Sequence, residues 1–108
     1  MIYSISEIAN IVRPIAEKYN VKAVFLFGSY ARGNASERSD IDLLVDTDGS
    51  RLKGLFALGA LYSELEDALG KDIDLITVSS LEQPSQMPSE EQFKENVKRE
   101  RKKLYAVA

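Results

Sequence analysis

Histidine and cysteine are both absent from the 108 residues. Without them no Ser-His-Asp or Cys-His nucleophile system can be assembled, nor a disulfide framework, nor a thiolate or imidazole zinc site. Any chemistry must draw on carboxylates, hydroxyls, Lys and Arg, with a hard metal as the one added reagent. Long apolar runs are missing too. None approaches the ~20 residues that span a bilayer, and Met1-Ile2-Tyr3 passes straight to polar Ser4 and Ser6 with no basic or apolar leader. Excess positive charge is also lacking: 14 Lys+Arg stand against 17 Asp+Glu, a net charge of -3 that argues against a whole-surface nucleic-acid binder. The lack of cysteine agrees with a reducing compartment, so a cytoplasmic protein is expected. At 44% hydrophobic and 29% charged residues, the composition is that of one globular domain, residues 1–108.

Periodicity supplies the elements. Ser4 and Glu7 have capping-box spacing, and Ile5, Ile8, Ile11, Val12, Ile15 and Tyr19 recur at helical intervals. A helix over 5–19 follows, with Pro14 a flaw in its middle and Asn20 closing it. Val21 to Phe27 reads as a buried strand, residues 28–39 as a connection in which Ser29 to Arg32 make one helical turn, and Asp40 to Val45 as a second strand. After the turn residues Thr47 to Ser50, a helix is expected from Arg51 to Leu69, with Leu55, Leu58, Tyr62, Leu65 and Leu69 on one face and Gly70 as its stop. Gly54 and Gly59 within it imply a closely packed neighbour. Asp72 to Val78 is a third strand, 79–88 a loop, and Ser89 caps a last helix running to about Tyr105.

The order αβ(α)βαβα predicts a small mixed sheet with flanking helices, an α/β or α+β two-layer domain. The short first link between strands favours an antiparallel pair. The long helical second link permits a parallel one.

Asp40 and Asp42 are two residues apart on a strand and so share a face, while Ile41 points to the core. Two like charges so placed repel, and a cation relieves them. An isolated Asp-x-Asp is more often a solvated strand end, but this one follows Gly28-Ser29, which presents backbone N–H groups and a hydroxyl to an anion. Arg32 adds a positive charge to the same segment. Asp72 and Asp74 then place further carboxylates on the third strand, and oxygen-only ligands of this kind suit Mg²⁺.

Gly28-Ser29, ten intervening residues and Asp40-Ile41-Asp42, with the fuller string GSYARGNASERSDIDLLV and the later KDIDLIT, resemble the minimal nucleotidyltransferase (MNT) branch of the polymerase-β-like nucleotidyltransferase superfamily. The resemblance implies that Gly28 and Ser29 hold the β- and γ-phosphates of ATP, with Arg32 and Ser39 as further nucleotide-binding candidates. It implies that Asp40, Asp42 and Asp74 are the catalytic and metal-binding residues, carrying two Mg²⁺ ions. Asp74 would complete the second metal site and help deprotonate the attacking hydroxyl. Asp72 is either a supporting group or only a strand start.

The resemblance further implies an antitoxin of a type VII-like pair, which adds AMP to a hydroxyl, a tyrosine, of a HEPN-domain toxin. The alternatives are an antitoxin that masks its partner by binding alone, and the catalytic subunit of a small-molecule, antibiotic-modifying adenylyltransferase. Larger superfamily members use a second domain to choose the acceptor. Here another chain, a second copy or the acceptor itself would complete that pocket, in a homo- or hetero-oligomer. Lys94, Lys98, Arg99, Arg101, Lys102 and Lys103 read as a solvated face in preference to a nucleic-acid or partner patch, and Phe93, Val97, Leu104 and Tyr105 as an apolar stripe docking on the sheet.

Overall fold

The computed structural model describes residues 2–48 and 54–107. Helix α1 (Ile5–Lys18) opens on a reciprocal cap: the Glu7 amide donates to the Ser4 hydroxyl at 3.1 Å, and the Ser4 amide donates to the Glu7 carboxylate at 2.8 Å. Two otherwise unpaired helix-end donors are thereby satisfied. The helix continues through Pro14 and exits at Asn20, whose φ of 56° is the left-handed turn that asparagine tolerates. Strand β1 (Ala23–Phe27) leads directly into the short helix α2 (Gly28–Arg32), and β2 (Ile41–Asp46) follows. Helix α3 (Gly54–Leu69), β3 (Ile73–Thr77), α4 (Val78–Leu81), α5 (Pro88–Glu100) and β4 (Lys102–Ala106) complete the chain.

The sheet order is β3-β2-β1-β4. As the link lengths imply, β1 and β2 are antiparallel and β2 and β3 parallel, joined by the α3 crossover. Alternation along β2 sorts its residues between two cores. Ile41, Leu43 and Val45 face the larger one, with Ile8 and Val12 of α1 and Leu61, Leu65 and Leu69 of α3. Leu44 faces the other way, into a small cluster with Phe27, Leu81 and Val97. Helix α5 therefore adds a partial third layer to the expected two. Because that layer is thin, the beginnings of β2 and β3 stay open beside it.

Several expectations need correction. The last helix stops at Glu100, and Lys102–Ala106 is a fourth strand, antiparallel to β1. Phe93, Val97 and Leu104 fit a helical period, yet the intervening step is the cation Arg101, and the free edge of β1 offers backbone bonds that no helix could fill. Leu104 joins the larger core and is 5% exposed. Helix α5 is entered through Met87 with Pro88 in its first turn, so Ser89 is not the cap.

The loop over 79–88 begins as α4, whose Thr77 hydroxyl accepts the Ser80 amide at 3.2 Å. On α3 the buried face is Leu61, Leu65 and Leu69. Tyr62 sits at the rim, its hydroxyl donating to the Ile73 carbonyl at 3.1 Å. A side chain at Gly59 would meet nothing within 4 Å, so no close neighbour explains that glycine. The expected helix start at 51–53, the end of the preceding turn and the surroundings of Gly54 lie outside the described residues. Among the described residues no helix is long and apolar enough to cross a membrane.

Candidate active site

Parallel pairing places Asp42 directly beside Asp74, and antiparallel pairing places Phe27 on its other side. Neighbouring strands lie only ~4.8 Å apart, so the two carboxylates are forced together on the thinly covered face. The Asp42 carboxyl is pushed up to about 6, chiefly by burial, then by hydrogen bonding to Asp74 and by the charges of Asp74 and Asp40, against a smaller opposing pull from Arg32. Such a pair is held at a cost in the absence of a cation. Asp40, one residue before the strand, is exposed and acts on Asp42 through its charge. Among the described residues no three His, Cys, Asp or Glu side chains stand close enough as placed to hold a metal ion.

Gly28 adopts φ +73°, a conformation that side chains disfavour, and the Asp42 carboxylate occupies the space where its Cβ would be. This contact ties the turn after β1 to the carboxylate pair. Phe27 enters α2 in an extended conformation without a side-chain cap, leaving the first N–H groups of the turn free of side-chain partners. The Ser29 hydroxyl makes no hydrogen bond among the described residues. Gly28, Ser29, Arg32 and Asp42 line one cavity of about 300 Å³. Asp42 and Asp74 line a second, of about 330 Å³, and Phe27 and Phe93 border both.

Arg32 is already engaged, its guanidinium donating to the Glu100 carboxylate at 3.0 Å. Ser39 stands apart from the other nucleotide-binding candidates. Its hydroxyl accepts the Ser36 amide at 2.8 Å inside the connecting loop, and with Asp40, Asp72 and Lys71 it borders a different cavity, of about 580 Å³. Asp72 is exposed on that side as well. Phe93 borders both cavities and is half-exposed, which differs from the buried apolar stripe expected of it. Its spacing from Val97 was visible, but docking on the sheet was expected to bury both.

The arrangement is a set of carboxylates on adjacent strand starts beside a tight glycine turn. Comparison with known proteins decides its family. A family model described as a nucleotidyltransferase domain matches residues 5–105. The chain belongs to the nucleotidyltransferase-domain family. It is 41% identical, over 85 residues, to a Methanocaldococcus jannaschii protein that bears the provisional name of a protein adenylyltransferase, covering 75% of this chain and 85% of that one. A chain of a toxin–antitoxin crystal structure with AMP-PNP is similar at a TM-score of 0.68 and 25% identity, over 92% of this chain and 73% of that one. The fold is also that of a chain in a complex of a tri-AMPylated Shewanella oneidensis HEPN toxin with an MNT antitoxin, at a TM-score of 0.62 and 22% identity, over 93% of this chain and 71% of that one.

Proposed function

We propose that this nucleotidyltransferase is a protein adenylyltransferase and an antitoxin, which transfers AMP from ATP to a tyrosine hydroxyl of a HEPN-domain toxin in the cytoplasm. The observation that carries the reading is the abutting pair Asp42 and Asp74, with the Asp42 carboxylate packed against the Gly28 turn. The protein-adenylyltransferase name of its Methanocaldococcus relative and the toxin–antitoxin setting of its structural neighbours support the acceptor class.

The carboxylate pair fits a divalent metal, because its donors are all oxygen. A cation would also favour the charged form of Asp42, which burial first, and then hydrogen bonding to Asp74 and the nearby carboxylate charges, disfavour. Asp42 and Asp74 would hold Mg²⁺, with Asp40 as the third ligand, and two such ions are proposed. Bound there, Mg²⁺ would supply positive charge against the triphosphate and the attacking and leaving oxygens.

The chain's own groups do the rest. Backbone N–H groups at Gly28 and Ser29, with the Ser29 hydroxyl, bind the terminal phosphates and leave the α-phosphorus toward the carboxylates. Asp74, exposed at the mouth, receives the proton of the incoming hydroxyl. The hydroxyl oxygen bonds to the α-phosphorus as the bond to the bridging oxygen breaks, and pyrophosphate leaves. A purely masking antitoxin would have no use for two carboxylates held against their repulsion.

Intact-mass measurement of a HEPN-domain toxin co-expressed with this chain tests the reading. Mass gains in multiples of one AMP, dependent on ATP and Mg²⁺, are expected. They should vanish in the double variant Asp40→Asn, Asp42→Asn. An unmodified toxin that both forms silence equally would establish masking instead.

A further inference from the structure

We infer that Phe93 is the platform on which the nucleobase of the bound triphosphate stacks, an inference that rests on the nucleotidyltransferase reading above. Helix α5 is anchored by Val97, which is 2% exposed and packs with Phe27 and Leu44. Phe93 lies one turn earlier on the same side of the helix, yet it is 47% exposed. Its ring meets Phe27 edge to face, with centroids 6.1 Å apart and planes at 80°. That contact orients a ring that stays half open to solvent.

Its position gives the exposure a use. Phe27 immediately precedes Gly28 and pairs with Asp42, so Phe93 is fastened to the residue that joins the glycine turn to the carboxylates. Phe93 borders the cavity of Gly28, Ser29 and Arg32, and also the cavity of Asp42 and Asp74. The other aromatic in those walls, Phe27, is 6% exposed and has no face to offer. A triphosphate whose phosphates lie on the turn, with its α-phosphorus toward Asp42 and Asp74, carries its base past the rim that Phe93 forms. Bases present flat faces of low polarity, and stacking on an aromatic ring discriminates little among them. The platform therefore contributes affinity for nucleoside triphosphates over bare polyphosphate, with weak preference for one base.

Calorimetric titration with Mg-ATP and with Mg-tripolyphosphate separates the parts of this argument. Phe93→Leu and Phe93→Met keep an apolar contact with Phe27 but remove the ring, while Phe93→Trp keeps a ring. Both non-aromatic variants should bind Mg-ATP roughly tenfold more weakly. Their affinity for tripolyphosphate should stay within about twofold of wild type, and Phe93→Trp should bind both ligands as wild type does. Unchanged Mg-ATP affinity in the leucine and methionine variants, or equal losses for both ligands, would overturn the platform. Wild-type protein that binds neither ligand would instead overturn the nucleotidyltransferase reading beneath it.

Discussion

The Asp42 carboxylate fills the space where a side chain on Gly28 would begin, with its Cγ only 3.0 Å from that Cβ position. Gly33 has a similar backbone, φ +81°, but nothing lies within 4 Å of its Cβ position. The two glycines separate backbone strain from steric conflict. Gly33→Ala should cost about 1–2 kcal/mol of stability, the ordinary penalty for a left-handed alanine, and leave AMP transfer intact. Gly28→Ala carries the same backbone penalty and also displaces Asp42. It should melt lower than Gly33→Ala and lose most transfer activity. Equal activity in the two variants would separate Gly28 from the site.

The pH dependence of the metal-free protein follows from Asp42. Its carboxyl is raised from 3.8 to about 6 in the folded state, so the native protein holds more protons than the unfolded chain between those values. Stability must then fall as pH rises from about 4 to about 6, and stay at its lowered level above that. Glu64 works in the opposite sense, because hydrogen bonds from Lys18 and Tyr19 lower its pKa. Its contribution is lost only as pH falls below the ordinary value near 4.5, which leaves the range from about 4.5 to 6 to Asp42. Asp42→Asn removes the titration and lets the amide donate to Asp74. The metal-free variant should melt at or above the wild-type temperature at pH 7, with a flatter profile from pH 4.5 to 6. Saturating Mg-ATP at a hundredfold excess over its Kd should stabilise wild type by roughly 2.7 kcal/mol and the variant by much less. Melting curves over this range, with and without Mg-ATP, provide the check.

Local signals in the sequence were read correctly where the chain itself determines the outcome. The cap at Ser4 and Glu7, the left-handed exit at Asn20 and the stop at Gly70 are short-range events whose residue types carry their mechanism. Strand directions followed from link lengths alone. The Gly-Ser turn and the Asp-x-Asp strand were legible because the residue spacing and the two-residue repeat place them. The entry of α5 escaped locally, because Pro88 takes the first turn and Met87 the cap position in place of Ser89. The larger differences were decided at long range. Lys102–Ala106 is strand because the edge of β1 needed a partner some eighty residues away, and a local helical pattern cannot register that need. The Ser39 hydroxyl accepts the Ser36 amide within the connecting loop, a short-range bond that the Gly-Ser and Asp-x-Asp spacing does not signal. The exposure of Phe93 depends on how α5 crosses the sheet, which no window of sequence contains.

Arg32 and Glu100 offer a further test. Their side chains are 46% and 24% exposed, and a pair so open to solvent contributes at most about 1 kcal/mol to stability. Breaking it should barely move the melting temperature. Its effect on nucleotide binding should be larger, since Arg32 borders the same cavity as Gly28 and Ser29. Glu100→Gln releases the guanidinium and should tighten Mg-ATP binding several-fold at low salt, an advantage that 0.5 M salt diminishes. Arg32→Ala should weaken binding under the same conditions. Shifts in the same direction for both variants would place Arg32 outside the phosphate-binding group. Calorimetry at two salt concentrations reads both effects.

The fourth strand can be tested against the helical alternative through its one core side chain. Leu104 is 5% exposed and belongs to the cluster that holds Leu26, Val24 and Ile8, whereas its neighbours Lys103 and Tyr105 are exposed and half-buried. Truncating a buried leucine to alanine typically costs 2–5 kcal/mol, with the lower part of that range expected on an edge strand that can partly collapse. Lys103→Ala removes only a solvated side chain and should stay within about 0.5 kcal/mol of wild type. Backbone pairing makes a second demand. Tyr105 pairs with Val24 and Ala106 with Ala23, so their amides sit on the edge of β1. A chain ending at Arg101 would bare that edge, melt well below wild type and associate through the exposed strand at high concentration. Leu104→Ala and the shortened chain should therefore both lose stability, but only the shortened chain should show concentration-dependent association by light scattering. A shortened chain that stays monomeric and melts no lower than Leu104→Ala would mean that β4 contributes its leucine and not its backbone.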